Sequence, residues 1–116
     1  MTQVHELAAP KDWKVLAEAS AEKPVLLLKH STRCPISAEA YDQFMKHVNK
    51  EPVAGMQYAL VLVVEQRAIS NAVAEELGVK HESPQVLLIK DGQVVWHTSH
   101  WRITADALKE QASKYR

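Results

Sequence analysis

Apolar and polar positions along the chain follow two rhythms. Val25-Leu26-Leu27-Leu28-Lys29 and Tyr58-Ala59-Leu60-Val61-Leu62-Val63-Val64 are continuous apolar runs without a polar face, the pattern of strands buried on both sides. Elsewhere the apolar residues recur every third or fourth position. Trp13, Leu16, Ala17 and Ala21 predict a helix over about 10–21, with Pro10 near its start and Asp12 in its first turn. Ile36, Ala40, Phe44 and Val48, with Tyr41 beside them, mark one face of a second helix, which Pro52 and Gly55 end. Ile69, Val73 and Leu77 line a third, closed by Gly78. Ser83-Pro84 then precedes a strand from Gln85 to Lys90, Asp91-Gly92 signals a two-residue hairpin, and Val94-Val95-Trp96 begins its partner. Thr104 caps a last helix, with Asp106 in its first turn and Leu108, Ala112 and Tyr115 along its face. Residues 3–7 fit a small edge strand. The resulting order, β-α-β-α-β-α-β-β-α, is an α/β fold with a mixed central sheet covered by helices on both faces. Residues 1–116 make one domain, long enough to bury a core without staples.

The chemistry concentrates at one junction. His30-Ser31-Thr32-Arg33-Cys34-Pro35-Ile36-Ser37 lies where the first buried strand stops and the second helix begins, and it holds the only cysteine. With Cys34 as N-cap, Pro35 takes the first helical position, which tolerates a missing N–H. The N–H groups of Ile36 and Ser37 then face back toward the sulfur, an arrangement that favours the thiolate and lowers the thiol pKa. The adjacent Arg33 acts as a modifier. The bland alternative is a small buried thiol, the commonest state of a free cysteine; the place before proline at a strand-to-helix corner favours reactivity.

Composition narrows the rest. Lys and Arg number 14, equal to Asp and Glu, and no basic stripe appears, so nucleic acid and anionic membrane are not expected partners. A single cysteine forms no internal disulfide and fits a reducing compartment. The N-terminus lacks a basic start followed by an apolar segment, and no apolar run approaches a membrane span, so a cytoplasmic protein is expected.

The Cys-x-x-Ser at the first strand-to-helix corner, followed fifty residues later by Pro84 at the head of the hairpin, resembles the thioredoxin fold. In that fold the proline is cis and lies against the active cysteine, which is the expectation for Pro84. Lys29 to Ser37, Gly78-Val79-Lys80-His81-Glu82-Ser83-Pro84-Gln85 and Ser99-His100-Trp101-Arg102-Ile103-Thr104 together look like the YtxJ family, with Cys-Pro-Ile-Ser the most specific segment. Members of that family are monothiol bacilliredoxins, thioredoxin-like oxidoreductases of the bacillithiol system. The resemblance implies that Cys34 removes bacillithiol from mixed disulfides on client proteins. It implies bacillithiol as co-substrate, with no permanently bound cofactor or metal.

Such exchange needs a thiolate that attacks and later leaves. Lowering a thiol pKa enough to raise its ionised fraction roughly 25-fold costs about 8-fold in intrinsic nucleophilicity, so attack gains only about threefold. The larger benefit comes when Cys34 must itself be expelled. Ser37 occupies the place of a resolving cysteine; its hydroxyl either donates to the thiolate or is simply a polar first-turn residue. The strand that starts at Ser83-Pro84 runs antiparallel to Val25–Lys29, so its beginning lies beside Cys34. The expected substrate groove is therefore Thr32, Ser83, Pro84, His100 and Trp101. Ser83 offers backbone hydrogen bonds to an extended segment, Trp101 a face for a sugar ring, and His100 or Arg33 a cation for a carboxylate. Trp101 also fits a structural role as an aromatic closing the sheet end, and His81 and His100 fit solvated or structural ones.

Three other readings compete. His30, Cys34, His81, His97 and His100 offer only His97-x-x-His100 as a tight zinc spacing, and in extended chain those two point to opposite faces. A monothiol glutaredoxin handling glutathione would carry Cys-Gly-Phe-Ser, which is absent. A thioredoxin-like adaptor with an inert cysteine needs nothing further from the sequence.

Overall fold

The computed structural model describes residues 2–116. Its elements are β1 (Val4–Glu6), α1 (Pro10–Ala19), β2 (Val25–His30), α2 (Pro35–Lys50), β3 (Gln57–Leu62), α3 (Arg67–Leu77), β4 (Gln85–Lys90), β5 (Gln93–Ser99) and α4 (Ala105–Tyr115), with a 3-10 turn at His100–Arg102 between the last two. The strands form one five-stranded sheet in the order β1-β3-β2-β4-β5. β1, β3 and β2 run parallel, and β4 and β5 antiparallel to their neighbours, giving the mixed sheet expected. Among the described residues no helix is long and apolar enough to cross a membrane.

Alternation along the central strands builds two cores. Leu26 and Leu28 of β2, Tyr58 and Leu60 of β3, and Val86 and Leu88 of β4 face α2 and α4, where Phe44, Val48, Leu108 and Ala112 meet them. Val25, Leu27, Ala59, Val61, Leu87 and Ile89 face the other way, onto Trp13 and Leu16 of α1 and Ile69 and Val73 of α3. Each fully buried aliphatic or aromatic side chain contributes roughly 1.5–3 kcal/mol relative to exposure. These twin cores fix α2 and α3 against opposite faces at the carboxyl end of β2.

Element ends follow local chemistry. α1 stops at Ala19, short of the expected Ala21, because Ser20 turns its hydroxyl back to the Ala17 carbonyl at 2.6 Å and Ala21 bonds Glu18 in a tightened last turn. β3 ends at Leu62, two residues early, as the chain turns toward α3; the Val63 N–H still reaches the His30 carbonyl at 2.9 Å. Gly78 closes α3 at φ +67°, and Asp91 and Gly92, both at positive φ, make the hairpin turn. The Thr104 hydroxyl accepts the Ala107 N–H, capping α4. Between β4 and β5, Leu88 pairs with Trp96 and Ile89 with Val94, so Val95 is a bulged residue.

Candidate active site

Cys34 is the N-cap of α2, and Pro35 its first residue, as the junction predicts. The sulfur is half-buried, on a chain that leaves β2 through four residues. One expectation fails here: the sulfur accepts no hydrogen bond from the amides of Ile36 or Ser37. A neutral thiol is a weak acceptor, and Cys34 enters the helix only through its carbonyl, which takes the Ala38 N–H at 3.0 Å as the first intrahelical bond.

What holds the loop is Ser37, which is fully buried. Its Oγ accepts the Ser31 N–H at 2.8 Å and lies 2.8 Å from His30 Nδ1. The side chain is therefore engaged below the loop rather than with the sulfur. This corrects the picture of Ser37 as a donor to the thiolate: at the third helical position it faces into the α2 core side, where His30 waits at the end of β2. His30 also stacks on Tyr41, ring centroids 4.9 Å apart. Burial lowers its pKa, against the opposing pull of Ser37 and Glu65, so the ring is neutral at physiological pH. The Arg33 N–H reaches Ser31 Oγ at 3.3 Å and the Cys34 N–H the Ser31 carbonyl at 3.4 Å, completing a tight turn.

The remaining residues sort by position. Thr32 is exposed, its hydroxyl donating to Glu65 at 3.4 Å, and the Arg33 side chain is exposed beside it. Pro35 is exposed and Ile36 half-buried on the first turn of α2. The Ser83–Pro84 peptide bond is cis, as the resemblance implies. Lys29 pairs with Gln85, which sets Ser83 and Pro84 at the end of the sheet from which the Cys34 loop departs. The Pro84 carbonyl accepts the His100 N–H at 3.1 Å, tying the 3-10 turn to the proline. The strand β5 ends at Ser99, so the stretch from His97 to His100 is not extended throughout; His100 adopts φ +55°. Trp101 is 68 % exposed. Pro35, Glu39, Ala40 and Gln43 of α2 face His100, Trp101, Ile103 and Thr104 across a cleft of about 370 Å³.

Two residues to which the sequence reading gave no structural role stand out. β2 ends in Lys29 and His30, both buried and pointing to opposite faces: His30 to α2, Lys29 to α3. Lys29 Nζ donates to the Ser70 carbonyl at 3.1 Å and lies 3.2 Å from His81 Nδ1; desolvation lowers its pKa to about 8. The signal available was polar residues closing a wholly apolar strand.

A single half-buried thiol, at a helix start beside a cis-proline loop and an open cleft, is equipped for one-thiol exchange with a disulfide. Solved structures share the frame. A candidate oxidoreductase with a thioredoxin fold is 35 % identical, covers 95 % of this chain and 93 % of its own, and superposes with a TM-score of 0.82. Thioredoxins from Malassezia sympodialis (17 % identity, TM-score 0.78, 99 % and 92 % covered) and Nicotiana alata (20 %, 0.77, 99 % and 94 %) share the fold. The family model for the monothiol bacilliredoxin BrxC matches residues 5–108. On that match, nearly the length of the molecule, the chain belongs to the monothiol bacilliredoxin BrxC family.

Proposed function

We propose that this thioredoxin-fold protein removes bacillithiol, or a similar low-molecular-weight thiol, from mixed disulfides on client proteins through Cys34. The Cys34 thiolate attacks the small-thiol sulfur of the mixed disulfide, and the client leaves as its thiolate. Cys34 then carries the small thiol in a new disulfide. A second small-thiol thiolate attacks that adduct on its own sulfur, forming the small-thiol disulfide and releasing Cys34. The observation that carries the reading is that Cys34 is the chain's only sulfur nucleophile and is open to water, while the position three residues on holds a buried serine. A hydroxyl does not resolve a disulfide, so the second thiol comes from solution.

The substrate sides divide between two surfaces. Thr32 and the half-buried Ser83 form the edge against which an extended client segment lies, with the buried Pro84 behind them. The cleft between α2 and the 3-10 turn receives the small thiol, with Trp101 under a sugar ring and His100 toward a carboxylate. Arg33, exposed on the Cys34 loop outside the cleft lining, offers a second cation to a carboxylate that reaches past the thiol. Glu39 lines the α2 wall of the same cleft, so a carboxylate is oriented away from it, toward His100.

Intact mass after mixing with a bacillithiolated client, then with bacillithiol, tests the cycle. The expected result is an adduct on Cys34 that the second thiol clears, and no transfer in a folded Cys34→Ser protein. Transfer by Cys34→Ser, or no adduct on the native chain, overturns it.

A further inference from the structure

Lys29 is a cation where the fold asks for an aliphatic residue. It is fully buried, in line with Val25 and Leu27 on the α3 face of β2, and among the described residues no carboxylate lies within ion-pairing distance of it. Burying an unpaired ammonium opposes folding by several kcal/mol, and apolar residues in place of buried charges are often neutral or stabilising. Core packing therefore gives no reason for a lysine here. Its contacts do. Nζ donates to the Ser70 carbonyl of α3 and to His81 Nδ1 in the loop before β4, and Ser70 Oγ lies 3.3 Å from the same nitrogen. Gln85, the cross-strand partner of Lys29 and so on the same face, donates from Nε2 to the Lys80 carbonyl at 3.1 Å. Its Oε1 is buried without a partner, and Lys29 carries a third N–H. The segment from Lys80 to Pro84 is thus held from beneath at its first two residues by side chains of β2 and β4. Ser83, two residues further on, is the edge assigned above to the client.

We propose that Lys29, acting through His81, is the positioning residue for the Ser83–Pro84 loop and so for the docking of the extended client segment. This rests on the reading of Cys34 as an exchanger with protein mixed disulfides. With Nδ1 accepting from Lys29, the His81 proton resides on Nε2, and the exposed imidazole closes over the ammonium.

Two disulfides on the same thiol separate this role from a general structural one. A small aromatic disulfide reagent needs only the sulfur, whereas a bacillithiolated client needs the loop as well. Lys29→Met is expected to fold with an unchanged or raised Tm and to react with the small reagent within about twofold of the native rate. Its KM for the client is expected to rise about tenfold at nearly constant kcat, the signature of lost uniform binding. His81→Ala behaves alike, and His81→Asn, whose Oδ1 stands near the place of Nδ1, recovers most of the loss. A native KM in Lys29→Met, an equal loss toward both disulfides, or an Asn variant no better than Ala overturns the role of Lys29. A native protein that reacts with the small reagent but takes nothing from the client overturns the exchange reading itself, and the lysine's role with it.

Discussion

His30 Nδ1 and Ser37 Oγ lie 2.8 Å apart, joining the last residue of β2 to the first turn of α2 beneath the loop that carries Cys34. The same hydroxyl takes the Ser31 N–H, so one buried oxygen serves both ends of the turn. Without it a partly buried backbone donor and a buried imidazole nitrogen lose their partners.

Ser37→Ala is accordingly expected to destabilise the fold by about 1–3 kcal/mol, the cost of leaving buried polar groups unsatisfied. Exchange by Cys34 should fall with it, because the loop is no longer held. Urea unfolding measures the first, and the rate with a small disulfide reagent the second. An unchanged midpoint would mean that the Ser37 bonds carry no net stability.

Lys29 predicts a pH dependence of stability. Its pKa is lowered to about 8 in the folded chain from an ordinary 10.5, so between those values the unfolded chain binds more protons. Stability therefore rises with pH across that window, and is flat from this group below it. From pH 7 to 9.5 the gain is on the order of 1–2 kcal/mol. Tyr58, whose pKa burial raises, opposes it only nearer its own ionisation range. Thermal melts of the native protein should show the rise and those of Lys29→Met should not.

His100 separates backbone from side chain. At φ +55° it sits where glycine is free of steric cost, and its N–H is what holds Pro84. His100→Gly should keep that bond and the fold, with stability equal or up to about 1 kcal/mol higher. A several-fold rise in KM for the small thiol would then report the imidazole alone; an unchanged KM would remove His100 from the cleft's recognition role.

Trp101 is exposed enough that its removal leaves the core untouched. Trp101→Ala is expected to shift stability by no more than about 0.5 kcal/mol. If the ring supports a sugar, clearance of the Cys34 adduct by bacillithiol weakens roughly fivefold, about 1 kcal/mol. Clearance by a plain alkyl thiol, which has no sugar, should not change.

The order of elements, the strand directions and the start of α2 were legible in the sequence because apolar periodicity, Gly78, Asp91-Gly92 and Pro35 each report a local physical requirement. Cys34 stood out because it is the chain's single thiol at a strand-to-helix corner. The partners of Ser37 were not legible. Its spacing from Cys34 suggested the sulfur, whereas the actual partner, His30, is set by which way the last residue of β2 points. Lys29 was hidden for a related reason: the end of an apolar run reads as the edge of the core, and only tertiary packing of α3 and the His81 loop encloses it. The 3-10 turn at His100–Arg102 carries no apolar period to announce it.

The bulge at Val95 governs more than the twist of an outer strand. Side chains of an extended chain switch sides at each step, so one surplus residue reverses the parity of everything downstream. The same β5 residues paired without the bulge would show the opposite sides of His97 and Ser99 and would deliver the chain into the His100 turn from the reverse face of the sheet. The handedness of the cleft beside Cys34 is in this sense a matter of counting, settled in β5 well before the chain comes back to the thiol.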